Sequence, residues 1–105
     1  MIIVNLTPHD LTVVLADESV CKITKSGTVA RVATKREVSR PIGGIQTFRT
    51  TYGQIEGLPE PADGTVYVVS GMVAARCPDR EDVFAPGELV RDGDGNVVGC
   101  RGLSR

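Results

Sequence analysis

The chain has 105 residues, enough for one domain with a modest hydrophobic core. Hydrophobic residues make up 41% of it and charged residues 24%, a balance typical of globular proteins and too apolar for a disordered chain. The net charge of −1 argues against bulk electrostatic binding to DNA, RNA or an anionic membrane, and the absence of Trp argues against a base-stacking platform.

The first part of the chain is predicted to form short strands joined by tight turns. β-Branched runs recur at close intervals, and the first turn places Pro8 where its fixed φ is tolerated. The last of these runs alternates apolar and polar residues, which is typical of a strand with one solvent-exposed face. The predicted strands cover residues 2–6, 11–15, 19–23 and 28–34.

The middle of the chain changes character twice. Residues 35–44 are charged and then contain a proline and paired glycines, which predicts a mobile loop. Residues 45–56 are expected to form a strand or hairpin with polar residues on one face. Residues 57–64 contain two prolines and predict a rigid, non-helical connector, because each proline biases its predecessor towards extended geometry.

The stretch 64–80 is the one around which the rest is organised. Val66 to Val69 is the densest β-branched block and predicts a strand. After Ser70 the residues favour a short helix over 71–77, with Ser70 as its N-cap. A single long strand bent at Gly71 is the alternative.

The remainder is predicted to be a loop followed by a hairpin. Residues 78–87 are charged and end at a Pro-Gly pair, and the Asp-Gly repeat at 92–95 is a strong hairpin signal. Together the elements predict a single domain, residues 1–105, with an α+β fold that is predominantly antiparallel β and has one short helix near 71–77.

A strand that meets a helix leaves backbone N–H groups unpaired at the helix start, which favours an anion. Arginine also outnumbers lysine in this chain and suits fork-like recognition of phosphate. Arg91 and Arg101 are expected to be near neighbours across the last hairpin, where they would share an anion; surface ion pairs are the alternative. The candidate ligand-binding residues are His9, Arg31, Tyr67, Ser70, Gly71, Arg76, Arg91 and Arg101.

No catalytic or metal-binding motif is complete. His9 is the only histidine, and the three cysteines Cys21, Cys77 and Cys100 lack a CxxC pair. The run from Asp92 to Asn96 imitates a calcium loop but has no glycine at the sixth position and no glutamate at the twelfth. We therefore expect neither a metal, nor a cofactor, nor an enzymatic activity.

Several motifs match a group of small proteins. The segments that carry the match span nearly the whole chain, and Asn5-Leu6-Thr7-Pro8-His9-Asp10 (NLTPHD) is the most specific. They are NLTPHD, SGTVAR at 26–31, GLP at 57–59, GTVYVVS at 64–70, and VRD at 90–92 through GCRGL at 99–103. The chain thereby resembles small proteins encoded by phages, prophages and GC-rich bacterial genomes. The resemblance implies a genomic context in which small binding proteins are common, among them anti-defence sponges that oligomerise and sequester nucleotide second messengers.

The leading interpretation is a non-enzymatic protein that sequesters a small phosphate-bearing ligand of nucleotide type and works as a homo-oligomer. Ser70 and Gly71 would offer N–H groups, and Arg76, Arg91 and Arg101 would hold phosphates. The alternative is a structural or protein-interaction accessory factor of phage origin, with 35–44 as its docking segment. Four apolar residues at the start are too few for a secretory segment, so a cytoplasmic location, in the host if phage-encoded, is expected.

Overall fold

Short β-branched runs separated by turns produce eight strands and one helix in the computed structural model, which describes residues 1–105. No helix in it has the length and apolar character needed to cross a membrane. The elements are β1 (Ile2–Asn5), β2 (Leu11–Val14), β3 (Val20–Ile23), β4 (Arg31–Ile42), β5 (Ile45–Glu56), β6 (Thr65–Val68), α1 (Gly71–Ala75), β7 (Val83–Arg91) and β8 (Val97–Ser104).

Six strands form one sheet in the order β1-β6-β7-β8-β2-β3, which together with α1 we call the body. The chain is mostly β with one short helix, as predicted. The main sheet is mixed, however, because β1–β6, β6–β7 and β2–β8 are parallel while β7–β8 and β2–β3 are antiparallel. The prediction of mainly antiparallel pairing did not consider that α1 connects β6 to β7 as a crossover, which makes these two strands parallel.

Residues 66–75 form a strand followed by a helix, as predicted, and not the single bent strand that was the alternative. β6 stops at Val68, and Ser70 adopts an extended conformation and caps α1, its Oγ accepting from the Val73 N–H at 3.4 Å. The loop predicted over 78–87 is shorter than expected, since β7 already begins at Val83. Proline has no N–H to donate to a neighbouring strand. Pro86 is tolerated in β7 because the pairing with β6 covers only residues 83 and 84 and ends before Pro86.

A small core lies where α1 covers the sheet. Only 12 of the 105 residues are buried. Half of these form one cluster in which Val73 of α1 packs against side chains from β6, β7 and the segments after β1 and before β4. Its members are Leu6, Ala30, Tyr67, Val69, Val73 and Val83.

The NLTPHD motif joins the two edge strands of the sheet. The side chain of Asn5 is 1% exposed, and its amide donates to the carbonyl oxygens of His9 at 2.8 Å and Ile23 at 3.1 Å. Its Oδ1 accepts from the backbone N–H of Thr7 at 2.9 Å and from the Thr7 hydroxyl at 2.6 Å. The Asn5 carbonyl accepts from the Ser26 N–H at 2.9 Å, and the backbones of Asn5 and Lys25 form an isolated parallel β-bridge. The end of β1 is thus fastened to the chain at the end of β3.

Strands β4 and β5 form a separate two-stranded hairpin, residues 31–56, which we call the arm. Each strand has 12 residues and so extends about 40 Å. The predicted mobile loop over 35–44 is wrong, because these residues form most of β4 and the hairpin turn. Gly43 and Gly44 have φ of 55° and 81°, and a two-residue turn with positive φ at both positions matches the twist of a hairpin.

The arm stands away from the body. Its root is attached by the Ala30 N–H, which donates to the Leu6 carbonyl at 2.9 Å, and by Val32 and Ile55, which pack against the core. Most of the remaining side chains of the arm are exposed. The radius of gyration is consequently 16.7 Å, against about 13 Å for a compact chain of this length.

Replacing Asn5 by Asp should destabilise the protein severely. The carboxylate keeps the shape of the side chain but puts negative charge against the carbonyl oxygens of His9 and Ile23, which lose the donor that Asn5 supplied, at a residue that is only 1% exposed. We expect a loss of about 3 kcal/mol and a fall in Tm of roughly 10 °C or more, measured by thermal and urea unfolding. Gln54→Glu makes the same chemical change on the exposed arm and serves as the control. Equal stability of the two variants would contradict this account of the motif.

Candidate functional site

The junction of β6 and α1, where an anion was predicted to bind, is largely occupied by the helix itself. Ser70 Oγ accepts from the Val73 N–H, and the Ser70 carbonyl accepts from the Ala74 N–H at 2.9 Å. Gly71 is exposed. A helix of five residues also has few aligned peptide dipoles to attract an anion. The charge needed to hold a phosphate would therefore come from a side chain nearby.

One arginine supplies such a charge, in what we call the arm-base cleft. This cleft has a volume of about 320 Å³ and lies between the NLTPHD turn, the root of the arm and the start of α1. It brings Arg31 together with Ser70, two of the eight residues predicted to bind a ligand. Its lining includes Thr7, Pro8, Arg31, Val32, Ser70 and Met72.

His9 lines a different cleft, which we call the His9 cleft. Its volume is about 370 Å³, and its lining contains neither lysine nor arginine. Leu89, Val97 and Val98 contribute to it, and all three side chains are about half exposed. The NLTPHD turn therefore separates the two clefts, with Thr7 and Pro8 on one side and His9 and Asp10 on the other.

The other predicted arginines do not converge. The Arg76 guanidinium lies over the ring of Tyr52 at 3.9 Å, Arg91 Nη1 donates to the Gly95 carbonyl at 2.9 Å, and Arg101 Nη1 is 3.0 Å from Glu18 Oε1. None of the three lines either cleft.

The expected proximity of Arg91 and Arg101 across the last hairpin is also wrong. The register places Glu88 opposite Arg101 and Val97 opposite Arg91, with a bulge between. The hairpin signal at 92–95 correctly located the turn, but it did not fix the alignment of the two strands.

Tyr67, a predicted ligand-binding residue, is placed in the core. It is 5% exposed and packs in the cluster around Val73, with its hydroxyl donating to the Glu60 carbonyl at 3.4 Å. In a strand covered by a helix, every second side chain faces the helix, and here Tyr67 takes that position.

The strongest ion pair of the body is structural. Arg80 donates to both carboxylate oxygens of Asp82, at 2.8 and 2.9 Å, and to the Pro59 carbonyl at 3.0 Å. The two side chains are 24% and 19% exposed. These hydrogen bonds lower the pKa of Asp82 below its ordinary value and raise that of Arg80. The pair ties the proline-rich connector to the entrance of β7.

Asp10, Asp17 and Asp92 also have lowered pKa values; for Asp10 and Asp92 the main cause is that backbone N–H groups stabilise the ionised form, and for Asp17 it is a hydrogen bond from the Ser19 hydroxyl. Asp92 accepts from the N–H groups of Asn96 and Asp94 and so shapes the last hairpin turn. Asp10 accepts from the Lys25 N–H and lies 3.6 Å from the Lys22 ammonium. Both carboxylates are explained by the turns and strand ends that they hold together.

The cysteines do not form a reactive centre. Burial raises the pKa of the Cys77 thiol, which disfavours the thiolate, and Cys100 is buried while Cys21 is exposed. No three His, Cys, Asp or Glu side chains lie close enough together to hold a metal ion.

The feature that the sequence interpretation missed is an apolar face on the arm. Val38 is opposite Phe48 in the register, and Tyr52 follows on the same face by strand alternation. The Arg36 guanidinium lies over the Phe48 ring at 4.0 Å. The opposite face is polar throughout its middle and carries Lys35, Glu37, Ser39, Thr47, Arg49 and Thr51.

The apolar face is covered at the root of the arm and, farther out, only where Arg36 lies over Phe48. On this face Val38 is 71% exposed. At the tip Ile42 and Ile45 are 70% and 69% exposed, and alternation along β5 places Ile45 on the face of Thr47, opposite to that of Phe48. A signal for this arrangement was present in the sequence, because paired glycines between two isoleucines mark a two-residue hairpin turn.

No known protein family, curated protein or solved structure matches this chain. Function is therefore inferred from the geometry of the arm and the two clefts.

Asp82→Asn should make the free energy of unfolding less dependent on pH in the acidic range. The folded pKa of Asp82 lies below its ordinary value of 3.8, so the ionised carboxylate stabilises the fold above that pH and the stabilisation is lost as the pH falls further. At neutral pH we expect the variant to be about 2 kcal/mol less stable than the parent, because one charge-assisted pair is lost. The difference should shrink below pH 3.8.

The measurement is urea unfolding at a series of pH values. Asp79→Asn is the control, since that exposed carboxylate in the same loop makes no ion pair. A constant difference between Asp82→Asn and the parent over the whole pH range would contradict the assignment.

Proposed function

We propose that this protein is a non-enzymatic interaction module of phage origin that docks on a protein partner through its arm. The observation that carries the proposal is the exposed apolar surface of the outer arm, which consists of Val38 and Phe48 on one face and the pair Ile42 and Ile45 at the tip. Exposed aliphatic and aromatic side chains concentrated on a projecting element are typical of an interaction surface.

The energetics of the arm favour a partner. A two-stranded hairpin is marginally stable in water by itself, and beyond its root and the contact of Tyr52 with Arg76 the arm is supported by its own two strands. Burial of a side chain such as Val38 or Ile42, now about 70% exposed, would contribute on the order of 1 to 2 kcal/mol each. Both strands also have a free edge, which can accept another strand.

The placement of the arginines supports the same function. Arg101 is paired with a carboxylate, Arg91 stabilises its own turn, and Arg76 and Arg36 lie over aromatic rings. These are the local roles expected of arginines in an accessory protein. A site built around a multiply charged anion would instead concentrate several of them in one cavity.

The proposal is tested by affinity capture from cells in which the protein is produced. Val38→Thr/Ile42→Thr/Phe48→Thr removes apolar surface while keeping residues that suit strands. The parent should retain a partner that this variant does not. Glu37→Gln/Arg49→Gln alters two side chains on the polar face of the same arm and should retain the partner.

Circular dichroism and thermal unfolding show whether each variant is folded. The proposal fails if the folded triple variant retains the same proteins as the parent.

A second function, sequestration of a phosphate-bearing ligand of nucleotide type, is favoured by the arm-base cleft. There Arg31 and Ser70 line one cavity with Thr7, so it combines a charged donor and polar groups with apolar side chains. The volume of about 320 Å³ falls in the range of small-molecule sites. Arg31 would hold the phosphate, and Met72 would contact the apolar part of the ligand.

Thermal unfolding against mono-, di- and cyclic nucleotides and ADP-ribose derivatives tests this function. A ligand at about 100 times its dissociation constant should add about 2.7 kcal/mol of stability, a shift of many degrees for a domain of this size. Arg31→Gln should abolish the shift, and Arg49→Gln on the polar face of the arm should keep it. Recovery of the intact ligand after boiling would identify sequestration. The absence of a shift with every compound would contradict it.

A further inference from the structure

We propose that the partner of the arm is a second copy of this chain, and that the arm tip of each subunit occupies the His9 cleft of the other. The inference rests on the proposed docking function of the arm and names its partner. It follows from three properties of the surface: its charge distribution, the chemistry of the tip and cleft, and the reach of the arm.

Charge is divided unequally between arm and body. Residues 31–56 contain five basic and two acidic side chains, a net charge of +3, whereas the rest of the chain contains seven basic and eleven acidic side chains, a net charge of −4. The overall charge of −1 conceals this separation. An arm therefore experiences attraction towards the body of another copy, and two arms repel each other.

The tip of the arm and the His9 cleft have matching chemistry. The tip presents Ile42 and Ile45, which are opposite each other in the hairpin and largely exposed. The cleft presents Leu89, Val97 and Val98, each about half exposed, in a cavity of about 370 Å³. Contact between these surfaces would remove apolar area from water on both sides.

The arm-base cleft is the poorer receptor for the tip. It contains Arg31, and the tip of the arm carries Arg40, so docking there would bring like charges together. The His9 cleft has no lysine or arginine in its lining, and Asp10, which lies at its edge and also contacts Lys22, provides an acidic group.

The arm is long enough for a reciprocal exchange. Its strands extend about 40 Å, and the molecule measures 53 Å along its longest axis. Around a twofold axis each arm reaches the other body, and the same contact forms twice, which closes the assembly as a dimer.

The test is sedimentation equilibrium of the purified protein and of variants at exposed positions. Ile42→Thr/Ile45→Thr alters the tip and Leu89→Thr/Val98→Thr alters the cleft. Val20→Thr, at a side chain that is 63% exposed on β3, is the matched control. We expect a dimer for the parent and the control, and an increase of roughly tenfold or more in the dissociation constant for either double variant.

Mixing the two double variants distinguishes arm-to-cleft docking from other contacts. A mixed dimer combines one intact arm with one intact cleft, so it should form more tightly than either variant associates with itself. Raising the salt concentration should weaken the parent dimer, because the arm and body carry opposite charge. Thermal unfolding establishes that each variant is folded.

Three outcomes would overturn the inference. They are a parent protein that stays monomeric, a cleft variant that dimerises as tightly as the parent while the tip variant does not, and mixed variants that gain nothing. A monomer whose arm captures a protein of different sequence would overturn the inference yet leave the proposed function intact. A monomer with no arm-dependent partner would remove both.

Discussion

The buried side-chain amide of Asn5 holds the two edge strands of the body together. Its nitrogen donates to carbonyl oxygens of His9 and Ile23, and its oxygen accepts two hydrogen bonds from Thr7. The edge strands β1 and β3 have only four residues each and pair on one side, so one side chain that satisfies several groups there has a large effect. Because this turn also forms a wall of both clefts, the same hydrogen bonds fix the surfaces on which function is proposed.

The body and the arm are stabilised by different interactions. The body buries a small valine-rich cluster around Val73 and adds a charge-assisted clamp between Arg80 and Asp82. The arm gains almost nothing from burial beyond Val32 and Ile55 and depends on cross-strand pairing and on arginines stacked over Phe48 and Tyr52. Its uncovered apolar face therefore has a cost in water, and a partner that covers the face would remove that cost.

Local signals in the sequence were sufficient for the short elements. The turn at Pro8, the cap at Ser70 and the Asp-Gly turn at 92–95 each depend on a few adjacent residues, and each was located correctly. The failures involve partners that are distant in sequence. Parallel pairing, the engagement of Arg101 by Glu18 and the burial of Tyr67 depend on which segments meet across the sheet, which no local pattern specifies. The arm was missed because charge and glycine at 35–44 outweighed the hairpin signal.

The attachment of the arm also bears on how the chain reaches its fold. β1 and β6 pair in parallel although about sixty residues separate them, and closing so long a loop costs conformational entropy. The arm is a local hairpin whose two ends, Arg31 and Glu56, are adjacent. Once it has zipped from the Gly43-Gly44 turn, the chain that must be closed is shorter by nearly half. An element that contributes little to the core can thus favour folding, because its early formation shortens the loop between β1 and β6.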